Sequence, residues 1–468
     1  MTVTETVIRY VFLAAAACLV LGLHLMNSPA TARRGNLVSA AAMSVAIVAT
    51  GVLIAEKGAI TTTGWVVLLS GLAVGSLAGL YFARTVAMTA MPQLVSLFNA
   101  VGGGAAVLLA VEHLRQADAG HVTAAVSIPA GLDVLIGAVT FTGSLVAAGK
   151  LQGLIPGRPL VFPGARLVNA GLGVVFAGSV VWLVLAPLHP APMLVLAAAA
   201  LVFGVTMVLP IGGADMPVVI SLLNAFTGTA VAMAGFVLGE TTLIVAGALV
   251  GASGAILTKL MADAMNRSIG NIIVGGFGTG DEQAGPGGES APVRPVSVDD
   301  VALQLAYARK VVVVPGYGLA AAQAQHELAG LAELLEGHGV SVTYAIHPVA
   351  GRMPGHMNVL LAEANVPYPA LREMEDVNPE FPQVDVALVI GANDVTNPAA
   401  RRPGNPISGM PILDVDKARN VVVIKRSMGH GYAGMDNELY SAPQTGMYFT
   451  DAKQGLVALT AAVRTFVG

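Results

Sequence analysis

The chain has 468 residues, of which 55% are hydrophobic and only 11% charged, whereas roughly a quarter of the residues of an ordinary soluble protein are charged. A formal net charge of −4 without any Lys/Arg-rich stripe excludes nucleic acid as a partner, and the single cysteine, Cys18, cannot form an intrachain disulfide. Most of the chain is therefore expected to face membrane lipid.

Nine apolar segments are long enough to cross a bilayer, because a transmembrane helix needs about 20 mostly apolar residues. The connections between them are short, which favours an antiparallel bundle. The first segment could instead be a signal peptide cleaved near Ser28, but cleavage would leave most of the basic residues outside the cell, so we interpret it as a span. The segments are 10–27, 35–55, 65–83, 93–114, 127–149, 167–186, 191–211, 216–239 and 241–261.

The basic residues predict the orientation of this bundle, because Lys and Arg are retained on the cytoplasmic side of a membrane. In a nine-span layout Arg9, Lys57 and Arg115 fall on one side, and the larger group falls on the other. We therefore expect an integral membrane protein whose C-terminal domain is cytoplasmic. The larger group is Arg33, Arg34, Arg84, Lys150, Arg158, Arg166, Lys259 and Arg267.

The composition changes abruptly at residue 276, where a Gly-rich acidic stretch without periodicity begins. We expect a transmembrane domain over residues 1–275, a flexible linker over 276–297 and a soluble domain over 298–468. In the soluble domain β-branched runs alternate with helical patterns, which predicts a Rossmann-like, doubly wound parallel sheet of the α/β class. The predicted strands are Lys310–Pro315, Val340–Ile346, Val384–Ile390 and Val421–Lys425.

A glycine-rich turn follows the first of these strands. The run from Gly316 to Ala321 has the pattern G-x-G-x-x-A, and a helix is predicted after it through about Glu336. Between a strand and a helix, such glycines allow a tight turn and the close approach of a pyrophosphate. The pattern alone is weak evidence, but its position favours a dinucleotide site.

The ends of two other strands indicate which dinucleotide is bound. An NAD site usually has an acidic residue after its second strand, but here that strand ends in His347 and Pro348. The fourth predicted strand is followed by Lys425, Arg426 and Ser427, two cations and a hydroxyl that suit a 2′-phosphate. The alternative interpretation is an exposed basic strand end.

Two further loops follow strands, at Val349–Pro354 and Gly391–Asp394. Ligands of open α/β sheets lie just beyond the strand ends, so both loops are candidates for nucleotide contact. Asp394 could equally cap the turn that follows it.

The polar residues of the predicted spans are few and grouped. Asn99 shares a helical face with Ser96 and Gly103, and the same spacing recurs at Ser221, Asn224 and Gly228. Asp133 and Asp215 lie near the starts of the fifth and eighth spans, where a charge faces water or a partner. Asn and Ser can instead simply bond neighbouring helices.

Together these motifs closely resemble the β subunit of the proton-translocating NAD(P) transhydrogenases, over nearly the whole chain. The resemblance implies that residues 1 to about 275 contribute to a proton-conducting domain and that the C-terminal domain binds NADP(H) under a lid-like loop over 431–434. The motifs that carry it are Gly137–Ser144, Ile211–Val218, Gly316–Gly318, His347–Glu363, Gly391–Asp394 and Lys425–Ser427.

The resemblance, together with the strand-end motifs, assigns two sets of residues. The residues expected to contact NADP(H) are Gly316, Tyr317, Gly318, Leu319, Ala320, Ala321, Ala322, Val349, Ala350, Gly351, Arg352, Met353, Pro354, Gly391, Ala392, Asn393, Asp394, Lys425, Arg426, Ser427, Gly431, Tyr432, Asp451 and Ala452. The residues expected to couple nucleotide binding to proton movement are Asn99, Asp215, Ser221, Asn224 and Asp394.

One position departs from the family pattern. Many members have a histidine in the fourth span where this chain has Asn99, and an amide does not titrate near neutral pH. One alternative is that the position is structural, and another is that the histidine lies on a helix of a partner subunit, as the resemblance implies for some members. The group that carries the proton is therefore left open by the sequence.

The function predicted from these residues is reversible hydride transfer between NADP(H) and NAD(H), coupled to proton translocation. The nicotinamides carry the chemistry, so no catalytic side chain in the usual sense and no metal are expected. NAD(H) is expected on a separate α-type subunit with further transmembrane helices, in a dimer of αβ units embedded in lipid. The alternative is a channel or transporter regulated by a dinucleotide-sensing domain; it is disfavoured because the T-V-G-Y-G filter of potassium channels is absent from the spans.

Overall fold

The computed structural model describes residues 3–26, 29–58, 60–116, 123–157, 159–186, 189–265, 269–270, 292–352, 355–405, 407–429, 431, 433 and 435–467. Several residues named above lie outside these ranges. They are most of the predicted linker, residues 432 and 434 of the lid loop, and Ser28, Arg158, Arg267, Met353 and Pro354.

The N-terminal part is a bundle of long apolar helices. Within the described ranges nine helices are long and apolar enough to cross a membrane, which confirms the polytopic prediction. Their bounds are α1 Val3–Leu25, α2 Pro29–Lys57, α3 Thr62–Thr85, α4 Met91–Gln116, α5 Ala124–Gln152, α6 Ala165–Leu185, α7 Pro190–Val208, α8 Met216–Leu238 and α9 Thr241–Ala264.

Small residues hold the centre of the bundle together. A Cβ atom on Gly103 of α4 would lie 2.6 Å from the carbonyl oxygen of Gly137 in α5, so the two backbones touch. Gly228 of α8 meets Gly251 of α9 in the same way. The peripheral helix α3, by contrast, has no buried residue among those described.

The C-terminal part is a parallel sheet of six strands, in the order β3-β2-β1-β4-β5-β6. This confirms the Rossmann-like α/β prediction. Four strands match the predicted ones, while the short strand β3 and the edge strand β6 were not predicted. The strands are β1 Lys310–Pro315, β2 Ser341–Ile346, β3 Leu371–Glu373, β4 Val386–Ile390, β5 Asn420–Lys425 and β6 Thr445–Phe449.

The central strands are apolar throughout because both faces of the sheet are covered. In β1, Val311 and Val313 join one buried cluster and Val312 and Val314 join the other. The α-helices of this domain are α10 Val298–Ala306, α11 Tyr317–Ala321, α12 Gln325–Gly337, α13 His356–Glu363, α14 Met374–Val377 and α15 Ala452–Val467.

The structure corrects one predicted element. The single helix expected through about Glu336 is divided into α11 and α12, because Gln323 between them has a left-handed backbone with φ 50°. At the other end of the domain, Val296 donates a backbone hydrogen bond to Met447 of β6 at 3.0 Å. The last residues of the predicted linker therefore pair with the sheet edge.

The two parts of the chain touch at the C-terminal end of α5. Arg352, in the loop after β2, donates from Nη1 to the carbonyl oxygen of Leu151 at 3.3 Å. Gln93 of α4 donates to the same oxygen. The carboxyl edge of the sheet therefore faces the membrane helices at this end of the bundle.

Candidate functional site

The site begins where strands β1 and β4 end side by side. Strands β2 and β3, which follow β1 in the chain, lie on one side of β1 in the sheet, and β4 lies on its other side. Such a reversal of strand order opens a crevice at the carboxyl ends of the strands. A Cβ atom on Gly318 would lie 2.6 Å from Cα of Gly391, and Gly391 has a φ of +64°. The two turns can meet only because neither residue has a side chain.

A cavity of about 550 Å³ opens from this point. Its lining brings together most of the residues predicted to contact a nucleotide, with Gly429 of the 425–432 segment that the resemblance implies. It adds Val395, Ile424 and Thr450, which the sequence did not single out. Predicted residues in the lining are Gly316, Tyr317, Gly318, Ala321, Ala322, Val349, Ala350, Gly351, Gly391, Ala392, Asn393, Asp394, Lys425, Arg426, Ser427, Gly431, Asp451 and Ala452.

Among the predicted residues that the structure describes, three do not line this cavity. Leu319 and Ala320 are fully buried in the core under the turn. Arg352 lines a second, smaller cavity instead, and its guanidinium carbon lies 4.2 Å from the centre of the Tyr317 ring. Arg352 therefore connects a residue of the main cavity with the end of α5.

Lys425 is the better buried of the two cations at the end of β5. Its Nζ donates to the carbonyl oxygen of Gly429 and lies 4.6 Å from the centre of the Tyr440 ring. Burial lowers the pKa of Lys425, an effect that the charges of Asp394 and Asp436 oppose. Arg426 is exposed. An anion bound beside Lys425 would favour the charged form of this buried amine.

The loop after β2 is shaped by two histidines. Val349 donates its backbone N–H to Nδ1 of His347, and Nε2 of His347 donates to the carbonyl oxygen of Pro411 at 2.8 Å. Arg352 donates its N–H to Nδ1 of His356 at 3.0 Å. Burial lowers the pKa of both imidazoles, and the Arg352 charge lowers that of His356 further. Both rings are therefore held neutral, as acceptors must be.

Asp394 lies between the cavity and the predicted lid. Its Oδ2 accepts the backbone N–H of Ala433 at 3.0 Å. A side chain on Gly431 would collide with the same carboxylate. The adjacent Asn393 is held by residues that the sequence did not indicate, since Tyr440 donates its hydroxyl to Asn393 Oδ1 at 2.9 Å and Asn437 donates to the Asn393 backbone.

Asp394 also lines the smaller cavity, of about 90 Å³. This second cavity lies between the sheet edge and the membrane helices. Its lining residues are Gly213, Pro217, Met261, Met265, Val349, Gly351, Arg352, Asp394, Val395 and Met410. Val349, Gly351, Asp394 and Val395 therefore line both cavities.

The predicted polar residues of the spans take different partners. Asn99 donates to the carbonyl oxygen of Ile220 in α8 at 3.3 Å, and Ser221 donates to that of Gly254 in α9. Asn224 is half-buried, and no hydrogen bond of its side chain is found within the described part of the chain. Asp215 is 7% exposed, in a short 3-10 helix before α8.

Comparison with known proteins covers nearly the whole chain. The family model of the NAD(P) transhydrogenase beta subunit matches residues 8–462. Two relatives, one from Rhodospirillum rubrum and one from a named strain of that species, are both called NAD(P) transhydrogenase subunit beta. Each is 48% identical over 460 residues, which is 96% of this chain and 98% of the relative.

Proposed function

Because the chain belongs to the NAD(P) transhydrogenase beta subunit family, we propose that it binds NADP(H) at the strand ends and exchanges hydride with NAD(H) held by a separate α-type subunit. The exchange is coupled to proton translocation through the helix bundle. The proposed setting is the bacterial inner membrane, with the C-terminal domain cytoplasmic and the αβ units paired as a dimer with further helices from the α subunit.

The residues of the cavity fit NADP(H). Because Gly318 and Gly391 have no side chains, the backbone of the two turns lies open to the cavity. A pyrophosphate can approach such a backbone closely. Lys425, Arg426 and Ser427 line the same cavity and supply donors for a 2′-phosphate. His347 replaces the acidic residue that would repel that phosphate.

The residues of this chain bind and orient rather than react. The nicotinamide ring supplies the hydride chemistry when it is bound, so no nucleophile or general base is assigned. The Val349–Arg352 loop is fixed by neutral His347 and His356. Asp394 holds the loop at Ala433 that would close over the nucleotide.

The observation that carries the coupling proposal is the shared lining of the two cavities. Asp394 faces both the proposed nucleotide site and the space against α8 and α9. A change of charge at Asp394 would therefore change its electrostatic interaction with both the bound nucleotide and the helices. Linkage requires the reverse as well, so nucleotide binding would change proton affinity by the same factor.

The test uses the full chain purified with its NAD(H)-binding partner. NADPH and an oxidised NAD analogue with a distinct absorbance are mixed with the complex, and reduction of the analogue is followed. We expect reduction that requires both subunits and stops when either is omitted. A complex that binds NADPH but transfers no hydride would instead favour a dinucleotide sensor.

A further inference from the structure

Asp133 is a buried carboxylate without a described partner. Its side chain is 0% exposed, and among the residues that the structure describes neither of its oxygens has a hydrogen-bond partner. Its neighbours in α5, Ala130 and Val134, belong to an apolar cluster with Leu196 of α7 and Val237 of α8. An unpaired ion in such surroundings is strongly disfavoured, and ionisable residues inside a membrane mark ion or proton paths by default.

Asp133 stands apart from the other buried ionisable residues of the spans. Among the described ones these are Lys150 and Asp215, and both lie at the end of the bundle that faces the nucleotide domain. Lys150 is already bonded to the carbonyl oxygen of Ile211 at 2.7 Å. Asp133 is therefore the buried ionisable group of the distant half, as far as that half is described.

No described ionisable side chain on the helices that pack against α5 is hydrogen-bonded to Asp133. At the end of α4, Glu112 and Arg115 pair with each other and are exposed, and His113 is half-buried. Before α7, the ring of His189 accepts the N–H of Ala191. Helix α8 has no ionisable residue, and α6 has only Arg166.

Asp133 begins a line of small and polar residues along α5. Gly137, Thr140 and Ser144 follow it at i+4, i+7 and i+11, which places all of them on one face. All four residues are buried, and the line is about 16 Å long at 1.5 Å per residue.

The opposite wall of this line is the Ser96, Asn99 and Gly103 face of α4. Ser96 donates to the carbonyl oxygen of Ser144 at 2.8 Å, and Gly103 touches Gly137. Asn99 lies between these two contacts, and Asp133 lies one turn beyond the second. The contact of Gly103 with Gly137 therefore lies between the carboxylate of Asp133 and the side-chain amide of Asn99.

We propose that Asp133 is the proton-binding group in the half of the membrane domain distant from the nucleotide site, and that it replaces the titratable side chain that Asn99 cannot provide. This proposal rests on the proposed function. A proton taken up at the distant surface binds the carboxylate. When the Gly103–Gly137 contact opens, the carboxylic acid releases this proton to water on the side of Thr140 and Asn99. No bond other than that to the proton is made or broken.

The test measures proton movement and hydride transfer together. The complete complex, with its NAD(H)-binding partner, is sealed in vesicles with a pH-sensitive dye inside. For Asp133→Asn and Asp133→Ser we expect coupled proton movement to fall by about 100-fold, the size of a lost proton-transfer group, with NADPH affinity unchanged. Asp133→Glu, which still titrates, should retain a large part of the activity. Asp263→Asn, at an exposed carboxylate of α9, is the matched control.

The outcomes separate this proposal from the function on which it rests. If the wild-type complex transfers hydride and moves no protons, the proposed coupling fails. If the wild type pumps and Asp133→Asn pumps equally well, the assignment of Asp133 alone is overturned. Equal loss in the Asn, Ser and Glu variants also overturns it, because shape rather than titration is then what matters.

Discussion

Lys425 and Arg426 are the residues that would distinguish NADP(H) from NAD(H). Both line the cavity at the end of β5, and a hydrogen bond to a charged group contributes about 1.5–3 kcal/mol. We expect the double change to Ala to reduce the preference for NADP(H) by about 10- to 100-fold or more. Titration calorimetry of the full protein with both nucleotides measures this preference.

The control for that experiment is Arg419→Ala. Arg419 lies just before the other end of β5, where it pairs with Asp385 and is 69% exposed, so its loss should leave the preference intact. Equal discrimination by wild type and the Lys425/Arg426 variant would contradict the assignment of the 2′-phosphate site.

Asp394 is the residue through which protonation would reach the nucleotide. The carboxylate accepts the Ala433 N–H and lines both cavities. We expect Asp394→Asn to flatten the pH dependence of NADP(H) release and to slow turnover. A turn cap would instead lose stability and keep the pH profile. Dissociation rates of NADP(H) measured across pH decide between the two, with Asp299→Asn of the exposed first turn of α10 as the control.

His347 and His356 give the nucleotide domain a dependence on pH of predictable sign. Burial lowers the pKa of both from the ordinary value of 6.5. Their contribution to stability is therefore complete above about pH 6.5 and is lost as the pH falls through the folded values. We expect the melting temperature of the full protein to fall on acidification below 6.5.

Replacing His356 with Asn separates this effect from other titrations. Asn keeps an acceptor for the Arg352 N–H but does not titrate, so part of the loss at low pH should disappear. His338→Gln, at an exposed ring bonded to Leu334, should behave as wild type. An identical pH profile in His356→Asn and wild type would remove His356 from the explanation.

At the scale of elements, the sequence predicts the helices and strands that are long apolar runs. The spans and strands β1, β2, β4 and β5 were found because each is a continuous apolar or β-branched run. Strand β3 has only three residues, and β6 contains Gly446 next to Val296. Strand β6 has as many residues as β4, but neither β3 nor β6 is a continuous β-branched run. The break at Gln323 depends on a left-handed backbone, which no residue pattern there indicates.

Helix α8 carries the predicted coupling residue Asn224. The neighbouring Ser221 donates a hydrogen bond to α9, whereas Asn224 is half-buried and has no hydrogen bond within the described ranges. We expect Asn224→Leu to lower coupled turnover several-fold without changing NADP(H) affinity. Proton pumping by the reconstituted complex measures the first quantity. Normal pumping would leave Asn224 as a packing residue.

Thr229→Val is the matched control on the same helix. The Thr229 hydroxyl bonds to the Ala225 carbonyl oxygen of its own helix, so removing it breaks no hydrogen bond between helices. A loss of pumping in this variant as large as in Asn224→Leu would show that α8 is sensitive to any substitution.

At the scale of the whole molecule, the contact between the two domains could not be predicted. Arg352 and Leu151 are 201 residues apart in the chain, and neither belongs to a pattern that indicates the other. The strand-end motifs placed the candidate nucleotide residues correctly at one edge of the sheet, because parallel strands end together. They carried no information about which membrane helix that edge would meet.

The central claim is that hydride exchange at the sheet edge and proton movement through the bundle are one coupled process. The most direct test imposes a pH difference across vesicles that contain the complete complex and measures the final ratio of NADPH to NADH. We expect the gradient to shift this ratio. A protonophore that dissipates the gradient should return the ratio to its value without a gradient. A final ratio that is the same with and without the gradient, while hydride transfer proceeds, would contradict the account.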